Sequence, residues 1–219
     1  MSQKAEIKAC LFDLDGVIVD TAKYHYLAWR RLCNELGFEL SEEENESLKG
    51  ISRAGSLEIL LRKGGVSLSQ KEKEGLMARK NGWYLDYVDT MEADEILPGV
   101  LGFLKVLKAS GRKIGLGSAS KNALPILEKI GVVPFFDVVI DGNKVTKGKP
   151  DPQTFQLGAA ALGVLPAHCV VFEDAGAGVE AALAGGMYAI GVGDSAILAG
   201  AHLVIPGFEG IGLDIFNKL

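Results

Sequence analysis

Two textures of hydrophobic and polar positions divide the chain. The first is strand-like: Ala9, Cys10, Leu11 and Phe12 form an apolar run that closes on Asp13, Asp15 and Gly16. This is how a strand buried on both faces ends at a turn. From His25 to about Leu97 the pattern turns helical and charged, with Tyr24, Leu27, Trp29, Leu32 and Leu36 near helical spacing and Gly37 as a stop. Ser41 with Glu44, and Ser69 with Glu72, have the spacing of capping boxes and predict two further helix starts. From Pro98 onward helix and strand alternate. The pattern predicts a helix starting at Pro98, a strand over 112–120, a helix over 122–131, a strand over 135–142 and a helix over 150–164. A strand ending in Glu173 and Asp174, a helix over 179–186, a strand over 188–193 and a short strand near Leu203 complete the series.

Five or more strands separated by helices make an α/β fold with a doubly wound parallel sheet. Residues 1–20 and 98–219 are expected to form its core domain, and 21–97 an inserted helical cap domain. With 219 residues, 48% of them hydrophobic, the chain can bury a core of that size. In such a sheet all strands end on one edge, where ligands bind. Asp13 and Asp15 follow the first strand, Ser118, Ala119 and Ser120 the second, and Glu173 and Asp174 a later one, while Lys149 lies in the loop before a helix.

Three or four carboxylates meeting a lysine and hydroxyls call for a hard divalent cation, Mg²⁺ before others, because the cluster would otherwise repel itself. Beside a metal, Asp13 stays ionised and can attack phosphorus, and Asp15 can exchange a proton with the leaving or attacking hydroxyl. Lys149 and Ser118 would hold the phosphoryl oxygens. Charge narrows the partners: 28 acidic against 23 basic residues give a net charge of −5, with no basic cluster dense enough to track a nucleic acid backbone. No stretch approaches the roughly 18 apolar residues of a membrane span. Cys10, Cys33 and Cys169 lack CxxC spacing and read as free, reduced core thiols, so a cytoplasmic location is expected, while a small, charged helical insert and a full set of core strands are compatible with a monomer.

The segments FDLDGVIVDT, GLGSASKN, KGKPDPQTF and VVFEDAGAGVEAA, in this order and spacing, resemble the four motifs of the haloacid dehalogenase superfamily of phosphotransferases. Within it, TAKYHYLAW, LKGISRAGSLE and SASKN resemble the hexose-phosphate mutases that interconvert β-glucose 1-phosphate and glucose 6-phosphate. That resemblance implies Asp13 as phosphorylated nucleophile, Asp15 as general acid and base, and Mg²⁺ held by Asp13, the Asp15 carbonyl and Asp174 with Glu173 beside them. It further implies glucose 1,6-bisphosphate as the priming phosphoryl donor.

Ser118 and Lys149 match holders of the transferring phosphate, and Arg53, Ser120, Lys121 and Asn122 match residues gripping the distal one. His25 matches a histidine coupling sugar binding to the placement of Asp15. Trp29, Lys49, Gly50, Ser56 and Lys80 match positions closing over the ring, and Thr21 the hinge into the insert. Ala175 departs from the pattern, standing where many relatives carry serine. Two rival readings keep the same core: a sugar-phosphate phosphatase, which has no use for a second phosphate grip, and a non-catalytic phospho-ligand sensor, which would not need Asp13.

Overall fold

The computed structural model describes residues 6–48 and 51–219. It divides into two compact units, one holding the chain up to Asp20 together with Glu92–Leu219, the other Thr21–Met91.

The first unit is built on a six-stranded, all-parallel sheet. In chain order its strands are β1 (Ala9–Phe12), β2 (Lys113–Gly117), β3 (Val138–Ile140), β4 (Cys169–Glu173), β5 (Tyr188–Val192) and β6 (Leu203–Ile205). Their spatial order is β3-β2-β1-β4-β5-β6. The chain winds outward from β1 in one direction and from β4 in the other, so the switch point lies between these two strands, where α/β sheets bind ligands. Register fixes the working edge: Phe12 pairs with Leu116 and with Phe172, so the residues that follow all three leave the sheet at one level.

Alternation along β1 divides the core. Ala9 and Leu11 pack on one face with Phe155, Ala159, Val171, Ala181 and Ala182. Phe12, on the other face, stacks on Phe172 at 4.7 Å between ring centroids and meets Phe103 and Phe208 at 6.3 and 6.1 Å. Pro98 stands before its helix, which spans Val100–Ala109, rather than at its first turn. Leu97 N–H donates to the Ile18 carbonyl at 3.0 Å and Ile96 bridges Val19, which keeps the approach extended.

The second unit holds α1 (Ala22–Glu35), α2 (Glu42–Glu46), α3 (Arg53–Gly64) and α4 (Gln70–Val88). Both capping boxes are formed, Ser41 with Glu44 and Ser69 with Glu72. Trp29, Leu32, Cys33, Leu40, Leu48, Leu57, Leu60 and Leu61 make its core. In the first unit the helices are α5 (Val100–Ala109), α6 (Ala123–Lys129), α7 (Gln153–Leu162) and α8 (Gly176–Ala184). Among the described residues no helix is long and apolar enough to cross a membrane, and the three cysteines are buried and free.

Candidate active site

The tips of β1 and β4 meet across one hydrogen bond, Asp13 N–H to the Phe172 carbonyl at 3.0 Å. This places Asp13, Glu173 and Asp174 side by side, each offering a carboxylate oxygen within 4.8 Å of the others. Lys149 crosses from the loop before α7 and donates to Asp13 Oδ1 and to Glu173 Oε2, both at 2.7 Å. Its side chain is 4% exposed, and the Phe155 ring lies 4.7 Å from the ammonium. Burial alone would lower the Lys149 pKa; the facing charges of Asp13 and Glu173 outweigh it and hold the value above the ordinary one.

The cluster holds three carboxylates against the one ammonium that pairs with two of them, and the excess negative charge is costly in a buried place. Glu173 gives way: burial, reinforced by the charges of Asp13 and Asp174, pushes its carboxyl up to about 8, against the pull of Lys149. The donor set fits a hard divalent cation. Three carboxylate oxygens close enough to share one ion are the ligands Mg²⁺ prefers, and the ion would remove the charge excess.

Two glycines let the carboxylates approach. Gly16, at φ +72°, lies where a Cβ would fall 2.1 Å from Asp174 Oδ2, and a Cβ on Gly178 would meet the Glu173 carboxyl carbon at 2.0 Å. Asp15 is partly exposed in the tight turn from Leu14 to Val19, where Ile18 and Val19 N–H groups bond the Leu14 carbonyl. After β2, Ser118 is buried and its hydroxyl accepts from Ser120 N–H at 3.1 Å, while the Ser120 hydroxyl accepts from Asn122 N–H at 3.2 Å. Ala119 and Ser120 are partly exposed and Lys121 is open to solvent.

The second unit gathers its own set. Lys80 is 1% exposed, with its ammonium 2.8 Å from His25 Nδ1 and over the rings of Trp29 and Tyr84 at 4.6 and 4.9 Å. An ammonium only donates, so Nδ1 is the acceptor and the imidazole proton sits on Nε2. His25 stacks on Tyr84 at 4.2 Å between centroids. Burial, then the charges of Lys80 and Arg53, hold the His25 pKa well below the usual imidazole value. Arg53 opens α3 half-buried, its own pKa lowered by burial with Tyr84 opposing. Ser56 is buried in α3, and Thr21 is buried before α1, its carbonyl accepting from Tyr24 and His25 N–H. Lys49 and Gly50 lie outside the described residues. Tyr84 was missed from sequence; its spacing four residues beyond Lys80 on α4 was the available signal.

The sequence pattern of the haloacid dehalogenase-like hydrolases matches residues 7–186. The chain belongs to that family. Among the family's curated members, it is 41% identical over 214 residues to a β-phosphoglucomutase of Bacillus subtilis, covering 97% of this chain and 95% of that one. It is 34% identical over 187 residues to a fructose-1-phosphate phosphatase of Escherichia coli, covering 83% and 94%. The crystal structure of β-phosphoglucomutase from Clostridium difficile matches with a TM-score of 0.93 at 40% identity, over 97% of this chain and 96% of that one.

Proposed function

We propose that the chain is a Mg²⁺-dependent β-phosphoglucomutase, an isomerase that interconverts β-D-glucose 1-phosphate and D-glucose 6-phosphate. The observation that carries the reading is the extent of the likeness: 41% identity with a mutase through 97% of the chain, against 34% through 83% for the phosphatase.

In this reading glucose 1,6-bisphosphate charges Asp13. The Asp13 carboxylate attacks phosphorus, the bond to the sugar oxygen breaks, and Asp15 gives that oxygen its proton. In the other half-reaction Asp15 takes the proton from the C6 hydroxyl of β-glucose 1-phosphate, that oxygen attacks phosphorus and Asp13 is the leaving group; the bisphosphate then reorients and Asp13 takes the C1 phosphoryl back. Lys149, at 2.7 Å from Asp13, balances charge that builds on the phosphoryl oxygens, and Ser118 donates to them. Mg²⁺, when held by Asp13, the Asp15 carbonyl, Asp174 and Glu173, supplies further charge neutralisation at the transferring group.

Arg53, Ser120, Lys121 and Asn122 take the second phosphate. His25, Trp29, Ser56 and Lys80 serve the sugar end, with Lys49 and Gly50 assigned the same role; Thr21 marks the hinge into the helical unit, and Ala119 belongs to the substrate-binding stretch after β2. Binding energy from the non-reacting phosphate favours transfer to sugar over transfer to water. A cytoplasmic location fits the free thiols, and a monomer fits the small, charged helical unit beside a full set of core strands.

The test incubates the protein with Mg²⁺, β-glucose 1-phosphate and a trace of glucose 1,6-bisphosphate, following glucose 6-phosphate and free phosphate together. Glucose 6-phosphate should form with little free phosphate, be lost in Asp13→Asn, and fall by about 10²-fold in Arg53→Ala. Free phosphate rising in step with substrate loss would make the chain a phosphatase instead.

A further inference from the structure

Between β3 and α7 the chain runs through residues 141–152 without helix or strand, yet it delivers Lys149 to two carboxylates at 2.7 Å. An unsupported loop of this length would have to lose its conformational entropy for that one contact. The first half is anchored at its root: Asn143 Nδ2 donates to the Lys121 carbonyl at 3.0 Å and Lys144 Nζ to the Val139 carbonyl at 2.6 Å. In the second half the Asp151 N–H donates to the Gly148 carbonyl at 3.0 Å, closing the turn that carries Lys149, and one side chain ties the preceding residues to α7. Gln153 Oε1 accepts from Thr146 N–H at 2.7 Å and from Lys147 N–H at 2.9 Å, and Gln153 Nε2 lies 3.1 Å from Thr146 Oγ1.

Gln153 is itself held. It is the first residue of α7, and its N–H donates to Asp151 Oδ1 at 3.0 Å. The helix is seated on the sheet by Phe155 and Ala159, both fully buried. Phe155 also forms the surface beside the Lys149 ammonium. The same helix turn therefore supplies the apolar wall for the lysine and the clamp for the loop that carries it. A side-chain amide suits the task, since its oxygen accepts two N–H groups while its nitrogen donates to the hydroxyl. The exposed pair Lys147 and Asp151, at 3.4 Å, adds little by comparison.

We propose that Gln153 is a positioning residue for phosphoryl transfer: by clamping Thr146 and Lys147 it fixes the Lys149 ammonium against Asp13 and Glu173. The inference rests on the part assigned to Lys149 in the proposed reaction. It acts on kcat more than on substrate capture, because the sugar and its second phosphate are assigned to other residues and Lys149 meets only the transferring phosphoryl group.

The experiment compares Gln153→Met, which keeps the stem and removes the amide, with Gln153→Glu, which keeps the acceptor oxygens. Total turnover is read as glucose 6-phosphate plus free phosphate, alongside thermal unfolding and amide hydrogen exchange at Thr146 and Lys147. Gln153→Met should lower kcat about tenfold with KM changed less than about twofold, and should lose protection at both amides. Gln153→Glu should return kcat to within about threefold of wild type. Wild-type kcat in Gln153→Met with both amides exchanging freely would overturn the proposal, and so would a Gln153→Glu variant as impaired as Gln153→Met. Failure of the mutase reading is separate: wild type would release only free phosphate, and the same variants would then be judged on that rate.

Discussion

The two units each bury a lysine, and they do it by opposite means. Lys149 is held between Asp13 and Glu173 in direct ion pairs. Lys80 meets a neutral imidazole and the faces of Trp29 and Tyr84. The first arrangement leaves a surplus of negative charge, which a divalent cation or a proton on Glu173 must offset. In the second, the ammonium meets an imidazole lone pair and two ring faces, each ring worth about 0.5–2 kcal/mol. Charge pairing suits a place where phosphoryl charge comes and goes. The neutral setting instead keeps His25 unprotonated and its tautomer defined.

Breaking the first arrangement should have the larger effect. Lys149→Met leaves buried carboxylates without their cation. It should lower turnover by about 10²–10³-fold and cost about 3–5 kcal/mol of stability in Mg²⁺-free urea unfolding. Lys80→Met keeps an unbranched stem at the same place, and the flexible thioether packs between the two rings. Its loss of stability should stay under about 2 kcal/mol in the same measurement; a loss equal to that of Lys149→Met would erase the contrast.

The Lys80 site also carries a pH signature. The His25 pKa in the folded protein lies below the unfolded value of about 6.5. As pH falls below 6.5 the unfolded chain therefore binds more protons than the folded one, and stability drops by up to about 1.4 kcal/mol per pH unit. It is fully present above that pH. In Lys80→Met the repelling ammonium is gone, the folded pKa rises toward the ordinary value, and the window of pH dependence narrows. Urea midpoints taken between pH 5 and 7 read both effects.

The smallest effect concerns how helices begin. In the helical unit α2, α3 and α4 all start on a serine whose side chain caps the helix, whereas α5 to α8 in the sheet unit start without one. Helices seated on a sheet draw stability from burial; those of a small bundle depend more on their ends. Ser69→Ala should cost about 1 kcal/mol, and Ala175→Ser should add about 0.5 kcal/mol at the start of α8, both read as shifts in thermal midpoint.

Much of the fold was legible because its signals are local. Apolar runs closing on Asp13 and on Glu173 marked strands that are buried throughout, and the serine and glutamate spacings marked helix starts that formed as read. Pro98 misled by two residues because the backbone of Leu97 is taken by Ile18, a partner far away in sequence. The site was legible in part for the same reason that parallel strands end together: convergence at a sheet edge follows from topology, so Asp13, Glu173 and Asp174 could be grouped before any contact was seen.

By itself, then, the sequence determined the alternation of strand and helix and the carboxylate edge, since periodicity and turn residues act over a few positions. Only tertiary structure decided which partner each buried charge would find. That Lys149 faces two carboxylates while Lys80 faces a neutral imidazole, and that Gln153 holds the loop carrying Lys149, depends on distances across the chain. Electrostatic and hydrogen-bond energies change with the burial and orientation of groups far apart in sequence, and no spacing along the chain encodes them.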